Sequence, residues 1–273
     1  MYGQVSKNDM LSLSPPQPNP SIINPYRSLF TSYMTHAHAI VTLILRILND
    51  RLGLPTSRLE NWHRLRAFAG DQTRLIHSPV QPHHDRTLSN GEHTDFGSVT
   101  ILFNRIGGLQ VRLPPDMQPI PPAVKDPDNG DEKQDLAYGG AVRDPAPAGE
   151  NWAYVTPLPG HAIINLGDAL TKFSAGILHS NIHRVMAPPG LQARLPRYSL
   201  VYFSRPEDDV LLTPLRNESD QIEEAARRLG LKDDEVLTSK EWVHRMALGR
   251  RGVGKWLPSG GSDMDNARQV LKT

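Results

Sequence analysis

Cysteine is absent from the chain of 273 residues. This absence excludes a disulfide scaffold, a thiolate zinc finger, an iron–sulfur cluster and a cysteine nucleophile. A chain of this length can bury a large core, so neither disulfides nor a structural metal is needed for stability. Any metal site must therefore be built from histidine and carboxylate side chains.

The sequence also lacks an excess of charge of one sign and a long apolar run. Lys and Arg number 30 against 29 Asp and Glu, and this balance argues against a nucleic-acid-binding protein. The most apolar stretch, 39–45, is far shorter than the roughly 20 residues that span a bilayer. No basic segment followed by an apolar one opens the chain. We therefore expect a cytoplasmic protein without nucleic-acid or membrane partners.

The hydrophobic pattern divides the chain into three parts. Residues 1–73 form an N-terminal arm with helices, and residues 207–273 also have helical spacing. Between them, residues 74–206 carry short runs of Val, Ile, Leu, Phe and Tyr separated by Gly, Pro and Asn. This middle part is typical of a β-sandwich or β-barrel such as the jelly roll. We therefore expect a mainly β fold with flanking helices.

The middle part contains seven predicted strands and one long interruption. Gly107 and Gly108 are interpreted as a hairpin turn between two strands. Eight prolines between Pro114 and Glu150 predict an acidic, irregular insertion over 114–150. The predicted strands are 74–77, 98–103, 109–112, 152–155, 162–166, 181–185 and 198–204.

The flanking helices are predicted from apolar spacing and from end signals. The first 25 residues are proline-rich and are expected to form an irregular arm. A short helix is expected near Thr56, because Ser57 and Glu60 have capping-box spacing. The remaining helices are predicted at about 35–52, at 220–229, from Thr238 onwards and at 263–271.

His93-Thr94-Asp95 is the first of three segments with candidate chemistry, and the others are 180–185 and 197–199. In an extended backbone the side chains of residues i and i+2 face the same side, so His93 and Asp95 can bind one ion. A further histidine from another strand completes a set of two imidazoles and one carboxylate. Such a set suits Fe(II), because it leaves open positions on an octahedral ion for a bidentate 2-oxoacid and O₂.

Arg197 and Ser199 predict a binding site for an organic anion. The guanidinium of Arg197 is planar and permanently charged, which suits bidentate binding of a carboxylate. Ser199 lies two residues further along the same predicted strand, so its hydroxyl shares the strand face. The two side chains can therefore bind the same carboxylate.

The candidate segments, taken together, resemble a known enzyme family. They occur in one order between about Arg74 and Pro206 and are similar to the isopenicillin N synthase-like branch of the Fe(II)/2-oxoglutarate-dependent oxygenases. The resemblance implies a double-stranded β-helix, or jelly-roll, core. The segments that carry it are 93–100, 107–111, 165–168, 180–185 and 197–200.

The resemblance implies a ligand set and a reaction. It implies His93, Asp95 and His183 as ligands of Fe(II), and Arg197 with Ser199 as the site of the far carboxylate of 2-oxoglutarate. The implied partners are O₂ and a small organic substrate. Oxidative decarboxylation of 2-oxoglutarate to succinate and CO₂ accompanies hydroxylation, desaturation or rearrangement of the substrate, in specialised metabolism.

Three features depart from the family pattern. Ser78 stands where the family usually has a tyrosine that touches the oxoacid, and we expect Ser78 to donate in its place. Asp95 and His183 are 88 residues apart, which is longer than usual because of the insertion over 114–150. Family members also begin with additional strands and helices, so residues 1–73 are interpreted as a shortened front region.

Two other functions and one other ligand stay open. The change at Ser78 motivates an iron oxidase that has the triad but uses no 2-oxoglutarate, and the shortened front region motivates a non-catalytic jelly-roll binding module. His179 competes with His183 as the third ligand, although the family pattern favours His183. The segment His83-His84-Asp85 is interpreted as a solvated loop, and Asp168 as a helix cap.

Overall fold

The computed structural model describes residues 2–13, 19, 21–81, 89–114, 152–231 and 236–250. The predicted insertion beyond Pro114, the segment His83-His84-Asp85 and the predicted helix at 263–271 lie outside these residues. The helices are α1 (Lys7–Met10), α2 (Arg27–Arg51), α3 (Asp168–Phe173), α4 (Asp220–Arg228) and α5 (Ser239–Arg250). The strands are β1 (Tyr2–Ser6), β2 (Gln72–Ser78), β3 (Asn90–His93), β4 (Val99–Asn104), β5 (Leu109–Arg112), β6 (Trp152–Tyr154), β7 (Ile163–Leu166), β8 (His183–Val185) and β9 (Arg197–Ser204).

The strands form two antiparallel sheets. A five-stranded sheet has the order β1-β2-β9-β4-β7, and a four-stranded sheet has the order β3-β8-β5-β6. Two antiparallel sheets with short strands are the arrangement of a jelly roll. The predicted fold class, a mainly β jelly-roll core with flanking helices, is confirmed.

The five-stranded sheet has an outer face that forms the main core and an inner face that carries the candidate site. On β9, Tyr202 faces outwards and is buried against α2. Val99 and Ile101 of β4 pack in the same core, where α2 contributes buried residues such as Met34, Val41 and Leu45. Because side chains alternate along a strand, Arg197, Ser199 and Val201 lie on the inner face.

The start of the chain differs from the predicted irregular arm. Tyr2–Ser6 pairs with β2 as an edge strand, and α1 follows at once. Lys7 is fully buried and forms an ion pair of 3.2 Å with buried Asp71. The pattern of residues 2–6 is weakly apolar, and an edge strand takes its stability from a neighbour that local spacing does not show.

The predicted short helix near Thr56 is wrong. The chain there forms turns and one 3₁₀ turn at Glu60–Trp62. Ser57 has a φ of 59°, which is the left-handed region, whereas the first cap of a helix has an extended backbone. The capping-box spacing of Ser57 and Glu60 is therefore not used as a cap.

The predicted hairpin at Gly107 and Gly108 is also wrong. The strands on either side, β4 and β5, belong to different sheets, so these glycines carry the chain from one sheet to the other. Gly108 has a φ of 108°, and a Cβ there would lie 2.7 Å from the carbonyl oxygen of Met186. Only glycine fits this close passage.

The other predicted elements are present with shifted ends. All seven predicted strands are found, whereas β1 and β3 were missed. Helix α2 begins eight residues earlier than predicted, at Arg27. Thr238 and Glu241 form a capping box before α5, with reciprocal bonds of 3.2 and 2.9 Å between side chains and backbone amides. Among the residues described, no helix combines the length and apolarity needed to cross a membrane.

Candidate metal centre and anion pocket

The two candidate histidines lie opposite each other on adjacent strands. His93 ends β3 and His183 begins β8, and the antiparallel register pairs these two residues directly. Their ring centroids are 4.2 Å apart, with the planes tilted by 55°. Residues that are 90 positions apart in sequence therefore present their imidazoles to one point.

Asp95 completes the cluster from the loop that follows β3. One ligand atom from each of His93, Asp95 and His183 can be chosen so that all three lie within 4.8 Å of one another. Nε2 of His183 is 3.9 Å from Oδ1 of Asp95. In the part of the chain that the structure describes, this is the one group of three such side chains, and His179 is not in it.

Backbone carbonyls fix which nitrogen each imidazole presents. Nδ1 of His93 lies 2.7 Å from the carbonyl oxygen of Gly91, and Nδ1 of His183 lies 3.1 Å from that of Asn181. Since a carbonyl can only accept, the proton of each ring is assigned to Nδ1. Nε2 of each ring then carries the lone pair that can bind a metal ion. Nε2 of His93 also lies 3.4 Å from Nδ2 of Asn90.

Two neutral donors hold the carboxylate of Asp95. Thr100 and Asn165 each donate to Oδ2 at 2.8 Å, which leaves Oδ1 facing His183. Burial acts to raise the pKa of Asp95, but the positive charge that His183 and His93 carry when protonated, together with the two hydrogen bonds, holds this pKa below its ordinary value. The carboxyl is therefore ionised, as a metal ligand must be.

Asp168 is a second buried carboxyl beside the cluster. It is the first residue of α3, and its side chain accepts from Ser180 at 2.5 Å and from Thr94 at 3.0 Å. Burial raises its pKa to about 6, although both hydrogen bonds oppose this shift. The prediction that Asp168 caps the helix is wrong, because its carboxyl bonds to hydroxyls outside α3 and not to the helix amides.

Arg197 lies on the inner face of the five-stranded sheet and is buried. It donates from Nε to the carbonyl oxygen of Gly107 at 3.0 Å and from a terminal nitrogen to Oγ of Ser199 at 2.5 Å. No acidic side chain among the described residues lies within ion-pair distance of it, and burial lowers its pKa to about 10. A buried cation that bonds only to neutral groups suits an anionic ligand.

Ser78 lies opposite Arg197 through the register of the sheet. Its Cα lies directly opposite that of Arg197 in the pairing of β2 with β9, so both side chains point to the same face. Gly108 lies beside Arg197, since a Cβ there would come within 3.5 Å of the Arg197 side chain. The structure therefore brings all three predicted anion-binding residues together.

Sequence reasoning missed the residues that orient the ligands. Thr100 and Asn165 occupy adjacent, directly paired positions on β4 and β7, and both donate to Asp95. The available signal was a polar side chain at an inward position of a strand that is otherwise apolar. The carboxylate to which they donate is set by the path of the loop after β3, and strand patterns do not predict this path.

Comparisons with known proteins agree with this geometry. The model of the 2OG-Fe(II) oxygenase superfamily matches residues 130–206. The 2-oxoglutarate-dependent dioxygenase iboH of Amanita muscaria is 33% identical over 189 residues, which cover 69% of this chain and 76% of that protein. The chain belongs to the 2OG-Fe(II) oxygenase superfamily. The superfamily predicted from the sequence is thus confirmed, and the isopenicillin N synthase-like branch stays a prediction.

Two other similar proteins are longer than this chain. A 2-oxoglutarate-dependent dioxygenase of Aspergillus fumigatus is 31% identical over 228 residues, which cover 82% of this chain but 54% of that protein. The chain therefore spans about half the length of this relative. A full-length protein of Neurospora crassa, solved in complex with alpha-KG, has a TM-score of 0.62 at 21% identity and covers 90% of this chain and 64% of that one. This likeness supports the fold.

Proposed function

We propose that the protein is an Fe(II)- and 2-oxoglutarate-dependent oxygenase that oxidises a small organic substrate with O₂, in specialised metabolism. The observation that carries the proposal is the meeting of His93, Asp95 and His183 beside the inner face of the five-stranded sheet. Thr100 of this face bonds to Asp95, and buried Arg197 lies on the adjacent strand β9. A metal site alone has many uses, and a buried arginine alone has many partners. The two together fit a metal-chelating ligand with a distant carboxylate.

The donor set fits Fe(II). Two neutral imidazole nitrogens and one carboxylate oxygen form the facial set that Fe(II) oxygenases use, which leaves room for ligands that are not protein. The carbonyl partners of both histidines and the two donors to Asp95 hold these atoms in place before a metal arrives. Bound Fe(II) supplies O₂ activation coupled to oxidative decarboxylation of the 2-oxoacid.

The inner face of the sheet fits 2-oxoglutarate. Thr100, which holds Asp95, and Ser199, which bonds to Arg197, lie at opposite ends of the pairing between β4 and β9. Leu102 and Val201 are paired with each other between these ends. The face thus has the candidate metal ligands at one end, an apolar middle and the Arg197 guanidinium at the other end. This order matches the keto-acid group, the two methylenes and the far carboxylate of 2-oxoglutarate.

The chain's own residues bind and orient. Arg197 donates to the far carboxylate together with Ser199 and, from the facing strand, Ser78. Ser78 supplies a hydroxyl in place of the tyrosine expected from the family pattern. The apolar side chains of Leu102 and Val201 keep water from the middle of the pocket, which strengthens the charge pairing at Arg197.

The test is an anaerobic titration with Fe(II) followed by 2-oxoglutarate, read as visible charge-transfer absorption. The full chain is expected to develop this absorption, and Arg197→Gln is expected to need about 100-fold more 2-oxoglutarate, since two hydrogen bonds to a charged group are lost. Arg64→Gln, a change at an exposed arginine that forms an ion pair with Glu207, serves as the control for the loss of an arginine elsewhere in the chain.

Each outcome separates the candidate functions. Iron binding without the absorption would favour the triad iron oxidase that uses no 2-oxoglutarate. Absorption without succinate formation in the presence of O₂ would favour the non-catalytic binding module. Loss of iron binding in His183→Ala, with the fold retained, is expected under the proposal, and full retention would contradict the ligand assignment.

A further inference from the structure

We propose that Asp168 is a positioning residue of the metal centre. Its carboxylate bonds both to the His93–Asp95 segment and to the segment that precedes His183, and so holds the two together. This inference rests on the proposed function, because it takes those three side chains as the metal ligands. Asp168 is fully buried. Its role follows from what its carboxyl and its backbone amide each hold.

The carboxyl of Asp168 connects the two segments that supply the ligands. Oδ2 accepts from Oγ1 of Thr94, the residue between His93 and Asp95, at 3.0 Å. Oδ1 accepts from Oγ of Ser180, three residues before His183, at 2.5 Å. One rigid group therefore fixes the distance between two parts of the chain that are distant in sequence.

The backbone at the start of α3 adds a second set of bonds to the same loop. The amide of Asp168 donates to the carbonyl oxygen of Asp95 at 2.8 Å, and the neighbouring amides of Gly167 and Ala169 donate to Ser98 and Gly97 at 2.9 and 3.0 Å. The first amides of a helix have no partner within it. Here they hold the loop that carries Asp95.

The pairing of β3 with β8 does not by itself fix the positions of the ligand side chains, so the hydrogen bonds to Asp168 are needed. The register between β3 and β8 shifts between Asn90 and His93, so the ladder is irregular where His93 leaves it. Asp95 lies beyond the strand altogether. Where the backbone pairing is irregular, the Asp168 carboxylate holds the two segments by accepting hydrogen bonds from two buried hydroxyls.

Substitutions at Asp168 separate positioning from general stability. Asp168→Ala removes the acceptor of both hydroxyls, whereas Asp168→Asn keeps the shape and can bond to both, because hydroxyls accept as well as donate. Asp71→Asn is the control, since Asp71 is an equally buried carboxylate that accepts from Tyr202 and from the amide of Arg205. Neither of these two partners of Asp71 belongs to the segments that carry the metal ligands.

The experiment measures Mn(II) affinity by electron paramagnetic resonance and the melting temperature of the metal-free full chain. Asp168→Ala is expected to weaken Mn(II) binding about 10- to 100-fold, and Asp168→Asn is expected to stay within about threefold of wild type. Asp71→Asn is expected to lower the melting temperature and leave Mn(II) affinity within about twofold. If Asp168→Ala does not fold, Thr94→Val, which removes one of the two bonds, is expected to weaken Mn(II) binding about threefold to tenfold.

The experiment distinguishes a failure of the positioning role from a failure of the proposed ligand set. Unchanged Mn(II) affinity in folded Asp168→Ala, or in Thr94→Val where the former does not fold, overturns the positioning role. So does an equal loss in Asp71→Asn, because the effect would then follow stability alone. Unchanged Mn(II) affinity in His183→Ala overturns the ligand set itself, and with it the proposed function.

Discussion

At the scale of single residues, the site depends on which atom of each side chain is left available. The carbonyl oxygens of Gly91 and Asn181 take one nitrogen of each histidine, and Thr100 with Asn165 takes one oxygen of Asp95. These bonds direct one ligand atom of each of the three side chains towards the cluster. The strength of metal binding should therefore respond to residues that never touch the metal.

Thr100→Val tests this dependence. The substitution keeps the shape of the side chain and removes one of the two donors to Oδ2 of Asp95. We expect iron or Mn(II) affinity to fall about tenfold, as for other partners of metal ligands. Equilibrium binding of Mn(II) measures it, and an affinity equal to wild type would contradict this part of the account.

Thr73→Val is the matched control and a prediction of its own. Thr73 is fully buried on the outer face of β2, and its hydroxyl has no hydrogen-bond partner among the described residues. Replacing an unsatisfied buried hydroxyl with a methyl group should stabilise the fold by about 1 kcal/mol. Urea unfolding measures this, and metal affinity should not change. A loss of stability would mean that the hydroxyl is bonded after all.

Part of the site could be predicted from single residues and part could not. His93 and Asp95 are two residues apart, so their spacing predicts that they bind one ion without any knowledge of the fold. The choice of His183 over His179 came from family resemblance, because the pairing of β3 with β8 spans about 90 residues. Thr100 and Asn165 were missed because their partner is set by a loop and not by their own strands.

At the scale of elements, glycines set where loops and strands can approach. Gly97 follows the ligand loop, and a Cβ there would lie 2.3 Å from the carbonyl oxygen of Ser204. Gly91 lies on β3, where a Cβ would meet nothing within 4 Å. The two positions offer a matched comparison on either side of the ligand pair.

Gly97→Ala is expected to destabilise the fold by more than about 2 kcal/mol, because a backbone oxygen cannot move aside as a flexible side chain can. Gly91→Ala is expected to change stability by less than about 0.5 kcal/mol. Unfolding in urea compares the two. Equal effects would show that the approach of Gly97 to β9 is not as close as the structure has it.

Elements were predicted well where their own residues determine them. The strands with clear apolar runs, α4 and α5 were found because spacing and caps are local signals. β1 was missed because its partner, β2, is about 70 residues away. The glycines at 107 and 108 predict a hairpin that the fold does not form, because the sequence does not show that β4 and β5 lie in different sheets.

At the scale of the whole molecule, a buried histidine links stability to pH. His63 is fully buried between the carbonyl of Leu59 and the hydroxyl of Ser98, at 2.6 and 2.7 Å. Burial lowers its pKa to about 4, although the bond to Leu59 and the charge of Asp71 oppose this. The folded protein therefore binds fewer protons than the unfolded chain between about pH 6.5 and pH 4.

Because the folded protein binds fewer protons at His63, its stability falls as the pH is lowered. The contribution of His63 to stability is complete above about pH 6.5, is lost as the pH falls, and levels off below about pH 4 after a total of about 3 kcal/mol. His63→Gln, which does not titrate, should remove this part of the acid sensitivity. Urea unfolding at pH 7, 5.5 and 4.5 measures it. An unchanged pH dependence in His63→Gln would contradict the assignment.

The central claim is that one ion is bound by His93, Asp95 and His183 beside a 2-oxoacid fixed by Arg197. Anomalous diffraction from crystals grown anaerobically with Fe(II) and 2-oxoglutarate tests it most directly. We expect an iron peak within bonding distance of all three side chains and a carboxylate against the Arg197 guanidinium. Iron bound elsewhere, or a 2-oxoglutarate molecule that leaves Arg197 uncontacted, would contradict it.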